Sequence, residues 1–186
     1  MLLKWVKILL LLTLASLSIS FMLLRLKVTS AGFGLVVNFG LMFWFTTRES
    51  LLKPTLNATY FDAYPFENKG TFYRRLGVEW YRAILLKSGW EKIRQKQTPL
   101  KKGLTAFEAY ERATRVAEVG HLVVGSVVLL LIGYVLLAYS LQYARWLILS
   151  NLLLNAHPIL LQRYTRPRLQ RMLVKFRSLE TSSVYN

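Results

Sequence analysis

Two short constellations of polar residues stand out against the apolar runs of this sequence. Glu118 and His121 are three apart, a spacing that sets both on one face of a helix. A carboxylate that orients an imidazole and stabilises its cationic form makes a general base able to deprotonate a hydroxyl, worth typically about 10²–10⁴ in rate. The plainer alternative is that both residues stay hydrated where a helix enters lipid. A metal site is not expected, since one Glu-x-x-His pair supplies two ligands, and Glu111, Asp62 or His157 would have to complete the set through the fold.

The second constellation is Asn155, Pro158, Gln162, Arg163, Tyr164, Arg166, Pro167 and Arg168. Asn155 and Gln162 lie seven apart, two helical turns on one stripe, so both amides can point inward, where each needs a partner. Arg163, Arg166 and Arg168 form a cluster suited to bidentate capture of phosphates, with Pro167 restricting the backbone between them. The alternative is that they are the basic residues that ordinarily follow a last membrane span.

Composition says what must position these groups. The 186 residues are 54% hydrophobic and 18% charged with positive mean hydropathy, too apolar for a soluble domain of this size and too short for several domains, so one membrane domain over 1–186 is expected. The balance of 25 Lys+Arg against 9 Asp+Glu gives a formal charge of +16, which asks for anionic partners: phospholipid headgroups or nucleotide phosphates. Nucleic acid is not expected, because topology already accounts for basic residues at membrane edges. With no cysteine there is no disulfide framework, thiolate metal site or cysteine nucleophile, and two histidines, His121 and His157, cannot build a histidine-rich iron cluster.

A hydrocarbon core about 30 Å thick needs roughly 17–25 helical residues to cross. Four windows qualify, at about 8–24 with Trp5 as interfacial anchor, 28–47, 119–139 and 143–162. Lys4 and Lys7 before a leucine run resemble a signal peptide, but a retained helix is the reading here. The last two windows come from one run between Glu118 and Arg163 that is too long for a single crossing, so a turn is expected near Ser140–Ala144, with Arg145 snorkelling to the interface. The fold expected is an all-α integral membrane protein with about four spans. With the N-terminus inside, Lys4, Lys7, fourteen Lys/Arg from Arg48 to Arg115 and six from Arg163 to Arg177 share one side, leaving Arg25, Lys27 and Arg145 on the other. Both termini and the segment between the second and third spans are therefore expected in the cytoplasm of a multi-pass cell-membrane protein.

That cytoplasmic segment, 48–118, is too aromatic for disorder and too long for a hairpin. From Gly70 to Ser88, Phe72, Leu76, Trp80 and Ile84 with Tyr73, Tyr81 and Leu85 predict one interfacial helix whose Arg74, Arg75, Arg82 and Lys87 meet headgroups. Gly89 reads as its stop, and Pro99–Gly103 with Lys101 and Lys102 as a basic turn. Thr105 with Glu108 has the spacing of a capping box opening a helix that runs on into the third span. The sequon at Asn57 falls on the cytoplasmic side and carries no weight. The sequence holds no repeat, no Gly-rich phosphate loop and no Gly-x-Ser-x-Gly elbow.

The run from Asn155 to Leu169, with Gln162-Arg163-Tyr164-Thr165-Arg166-Pro167-Arg168 at its heart, closely resembles the C-terminal signature of the glycosyl-4,4'-diaponeurosporenoate acyltransferase family, which finishes staphyloxanthin-type carotenoids. Phe66-Glu67-x-x-Gly70-x-Phe72, Trp80 and Glu118-x-x-His121 fit the same family in the same order, over about residues 60–170. The chain departs from it in Thr165, where Asn is usual, and in its long apolar N-terminal half. The resemblance implies acyl transfer from a thioester, acyl-CoA, to a sugar hydroxyl of a membrane glycolipid, as in carotenoid biosynthesis, with no bound cofactor. It implies His121 oriented by Glu118 as base, Asn155 or Gln162 as donor to the tetrahedral oxyanion, and Arg163, Tyr164, Arg166, Arg168, Glu67 and Trp80 in substrate binding, with Lys101 and Lys102 assisting. The rivals are a non-catalytic membrane protein that binds anionic lipid or a partner helix, and a metal-dependent lipid hydrolase.

Overall fold

The structure is a computed structural model that describes residues 2–97 and 103–184, and among these every regular element is helical. In chain order they are α1 (Leu2–Arg25), α2 (Ala31–Leu52), two 3-10 turns (Thr59–Phe61 and Pro65–Glu67), α3 (Thr71–Arg75), α4 (Val78–Lys87), α5 (Trp90–Gln97), α6 (Leu104–Ala138), α7 (Leu141–Asn151), a π-helical turn (Leu152–Ala156) and α8 (His157–Val184). The expected basic turn at Pro99 with Lys101 and Lys102 lies outside the described residues. Two helices are long and apolar enough to cross a membrane, Trp5–Arg25 with 21 residues and Leu104–Ala138 with 35. Much of their apolar surface faces outward, as at Leu24 (85% exposed) and Leu137 (92%), which is what lipid-facing helices show.

The chain forms two compact units, Met1–Thr55 with Val119–Ala156 and Leu56–Glu118 with His157–Asn186. The first is an apolar bundle in which Phe33 and Val37 of α2, Val124, Val128, Ile132 and Val135 of α6, and Ala144 and Leu147 of α7 form the core. Ser30 caps α2 by accepting from the Phe33 amide at 3.2 Å, so this helix starts three residues later than the expected span. It ends at Leu52 because Lys53 precedes Pro54 and leaves the right-handed helical region, with φ 41°. The chain reverses at Tyr139–Ser140, at the N-terminal edge of the turn expected from the sequence.

In the second unit the predicted interfacial helix is broken. Gly77, at φ 79°, ends α3 and starts α4, so the two apolar rows part company. Tyr73, Val78 and Tyr81 turn inward, while Phe72, Leu76, Trp80 and Ile84 are exposed. A single uninterrupted helix would have kept both rows on one stripe. Gly89, at φ 77°, follows the end of α4 as expected. Thr105 is not a cap, because α6 already begins at Leu104; Glu108 pairs with Arg177 of α8 at 2.7 Å instead. That same helix continues without a break from Leu104 to Ala138.

Candidate active site

In the first unit a chain of amides lies inside otherwise apolar helices, where an unpaired polar group would be costly. Asn38 of α2 donates to the Gly34 carbonyl at 2.7 Å and to Ser150 Oγ at 3.2 Å. Its own carbonyl oxygen accepts from Asn155 Nδ2, which also donates to Asn151 Oδ1 at 2.8 Å, and Asn151 Nδ2 donates to the Gly125 carbonyl at 3.2 Å. With its NH₂ held on both sides, Asn155, 2% exposed, has one free direction for its Oδ1, and that oxygen faces His121 Nδ1 at 3.4 Å.

The local sequence explains why Asn155 can reach. Pro158 has no N–H for the carbonyl four residues earlier, Leu154, so the ordinary helical ladder fails there and the backbone widens into the π turn Leu152–Ala156. The Leu154 carbonyl, which has no Pro158 N–H to accept, lies beside the His121 ring. Gly125 lets α6 approach closely, since a Cβ at that position would lie 3.1 Å from the Asn155 side chain.

The second unit holds a cluster of buried charges. Glu118, fully buried, is paired with Arg163 at 2.9 Å and with Arg166, and accepts from the Tyr60 hydroxyl at 2.7 Å. Glu67, 2% exposed, accepts from the Tyr64 amide at 2.9 Å and from the Tyr73 hydroxyl, and lies 3.6 Å from Arg163. Two arginines thus face two carboxylates, and the cluster is neutral. Burial, and then the hydrogen bond to Glu118, push the Tyr60 hydroxyl above its ordinary pKa, and burial with the Glu67 bond does the same at Tyr73, so both remain donors. Burial by itself would lower the Arg163 pKa, but Glu118 and Glu67 together carry it above the usual value.

These arginines also serve backbone. The stretch from Leu56 to Asn68 is short of ladder partners for its carbonyls. Arg115 donates to Leu56 O at 2.7 Å, Arg163 to Tyr60 O at 2.9 Å, Gln170 to Phe61 O at 3.1 Å and Arg171 to Asn68 O at 3.1 Å. Arg166 donates to the hydroxyl and the carbonyl of Thr114, each at 3.1 Å, and lies over the Phe61 ring. Tyr164 is pinned between Glu79 (3.0 Å) and Arg168 (2.8 Å), its ring against Gly70.

Several expected roles change accordingly. Glu118 does not orient His121: its carboxylate is spent on Arg163, Arg166 and Tyr60, and the side chain at the imidazole is Asn155. Asn155 has no N–H left for an oxyanion. Arg163 and Arg166 are 8% and 1% exposed and neutralised, so neither presents a fork to a phosphate, whereas Arg168 remains exposed. Glu67 and Tyr164 are buried parts of the same unit, Gln162 is half-buried, and Trp80 is 61% exposed. Among the described residues no group of three His, Asp or Glu side chains is placed to hold a metal, and Glu111 is taken by Arg115 at 2.8 Å.

Residues 57–175, more than half of the sequence, match the family model described as glycosyl-4,4'-diaponeurosporenoate acyltransferase. The chain belongs to this family. Every candidate discussed, from Glu67 to Arg168, lies within the stretch shared with these acyltransferases. No individual curated protein and no solved structure matches the chain. Within this family member, sequence reasoning missed Asn38, Tyr60, Tyr73 and Thr114. Asn38 had a signal, a lone amide in the apolar run 28–47, where an intramembrane polar group marks a partner or a function. The two tyrosines and the threonine had none, since nothing local distinguishes them from others in the segment.

Proposed function

We propose that this protein is a multi-pass membrane acyltransferase that moves a fatty acyl group from acyl-CoA to a sugar hydroxyl of a glycosylated lipid, such as a glycosyl carotenoid. The family match supports the reaction type, and the His121–Asn155 contact is the observation that carries the mechanism. With the Nδ1 proton directed at Asn155 Oδ1, a neutral ring keeps its lone pair on Nε2. There it takes the proton of the acceptor hydroxyl as the oxygen attacks the thioester carbonyl. The tetrahedral intermediate collapses with cleavage of the C–S bond, the proton passes from the imidazolium to the departing thiolate, and an ester and free CoA remain. Direct transfer is favoured because the chain has no cysteine. Asn155 fixes the tautomer and the ring orientation. Arg168 is exposed, and its guanidinium suits an anionic group.

The apolar runs support four crossings, formed by α1, α2, the C-terminal stretch of α6, and α7 with the residues that follow it. Both termini and the segment 48–118 lie in the cytoplasm by the positive-inside count. The exposed row Phe72, Leu76, Trp80 and Ile84, with Arg74, Arg75, Arg82 and Lys87, rests among anionic headgroups.

A thioester assay on the purified protein tests this reading. His121→Ala lowers kcat by about 10²–10⁴. Asn155→Leu lowers it less and alters the pH profile, because the ring loses its orienting acceptor but keeps its basic nitrogen. Unchanged turnover in His121→Ala ends the mechanism, and no transfer of any acyl group by the wild-type protein ends the functional assignment.

A further inference from the structure

A side-chain amide has a donating end and an accepting end, so its direction is settled only when a partner of fixed polarity holds one of them. A backbone carbonyl is such a partner, because it can only accept. Asn38 and Asn151 each have one. Asn38 Nδ2 donates to the Gly34 carbonyl at 2.7 Å, and Asn151 Nδ2 to the Gly125 carbonyl at 3.2 Å. Ser150 agrees with the first: its hydroxyl donates to the Leu147 carbonyl at 3.0 Å, which leaves Oγ to accept from Asn38 Nδ2 at 3.2 Å. Both amide oxygens are thereby turned toward Asn155.

Caught between two acceptors, Asn155 can present only its NH₂ to them. Reversing it would set three amide oxygens together with no proton among them, at a residue 2% exposed. Its Oδ1 therefore faces His121 Nδ1, 3.4 Å away, and an amide oxygen there can only accept. Polarity passes in this way from the Gly34 carbonyl of α2 to the ring on α6. Close packing keeps the relay in register, since a Cβ on Gly34 would stand 2.8 Å from Ser150 Oγ and one on Gly125 3.1 Å from Asn155 Cβ. Asn38 is the member that the family stretch does not supply: residues 57–175 include His121, Asn151 and Asn155, but α2 has already ended at Leu52. An amide 3% exposed in an apolar helix is costly for any role that a leucine could fill.

We infer that Asn38 is a positioning residue for acyl transfer: acting through Asn155, it holds His121 in the tautomer with the proton on Nδ1 and the basic lone pair on Nε2. The inference rests on the acyl-transfer reading and adds to it a residue from outside the family stretch, so that the histidine depends on α2 for its reactive form. A purely structural amide would stabilise the bundle without choosing a tautomer.

Nitrogen NMR of the full-length protein, labelled at histidine and held in detergent at a pH where the ring is neutral, separates the two tautomers. The His121 signal is the one lost in His121→Gln. In the wild type the Nδ1–H form dominates; a dominant Nε2–H form overturns the inference before any variant of Asn38 is made. Asn38→Leu removes one of the two acceptors that hold Asn155, so the Nε2–H form rises to a measurable share. In the thioester assay with palmitoyl-CoA its kcat falls about tenfold or more while KM changes little. Ser18→Ala takes from α2 the hydrogen bond that the Trp44 indole donates at 2.7 Å, without touching the amides, and leaves both the spectrum and kcat as in the wild type. An unchanged tautomer in Asn38→Leu, a changed one with unaltered kcat, or the same losses in Ser18→Ala overturns the positioning role. The spectrum is read without substrate, so it decides the relay even if the wild type transfers no acyl group, a failure that counts against the reaction alone.

Discussion

Arg166 and Glu118 form an ion pair in the interior of the second unit, the arginine 1% and the glutamate 0% exposed. Two charges removed from water in this way are costly unless each finds full compensation, and breaking one side of such a pair is worse than removing both. Glu118→Gln removes the carboxylate paired with Arg166 and leaves Arg163 with Glu67 alone. The expected cost is about 3–5 kcal/mol, read as a lowered unfolding midpoint in detergent. Glu118→Leu combined with Arg166→Met recovers part of that loss, and a double variant no better than the single one removes the case for a coupled pair.

The contact of Gly70 with Tyr164 makes a second prediction. Gly70 has φ 67°, where a side chain costs about 1–2 kcal/mol, and a Cβ there would sit 2.7 Å from the Tyr164 ring. Gly70→Ala destabilises through both effects. Adding Tyr164→Leu relieves the collision but not the backbone strain, so stability returns in part; full recovery or none contradicts this division.

Alkaline pH probes the packing of α4. Burial raises the Tyr81 hydroxyl to about 12, from an ordinary value near 10. The folded state then binds the proton more tightly than the unfolded chain, so the contribution is intact below about pH 10 and declines as pH rises through about 12, by about 2–3 kcal/mol in all. The wild-type midpoint should fall more steeply than that of Tyr81→Phe between those pH values. Parallel curves would place the hydroxyl in water rather than in the packed region where the Tyr81 and His157 ring centroids lie 5.2 Å apart.

The exposed row on α3 and α4 can be located by fluorescence. In liposomes containing anionic lipid, bromine placed just below the headgroups should quench Trp80, and the quenched fraction should fall in Trp80→Phe. Quenching of Trp80 by aqueous iodide with none from the brominated lipid would place this face in water.

The helical, apolar character was legible from residue order, because long uncharged runs have one backbone solution in lipid. The family was legible too, since Gln162 to Arg168 is a local signature. So were the reversal at Tyr139–Ser140 and the unbroken passage of α6, both set by distances along the chain. What spacing could not supply was the choice of partner. Glu118 and His121 share a face by arithmetic, yet Glu118 takes Tyr60 and Arg163, 58 and 45 positions away by number, and His121 takes Asn155, 34 away. Each had several chemically acceptable neighbours in the sequence, and a buried charge goes to whichever packing compensates it best. The sequence determines which groups must be satisfied, and the tertiary structure decides by whom, because desolvation penalises every alternative pairing that leaves a group unmet.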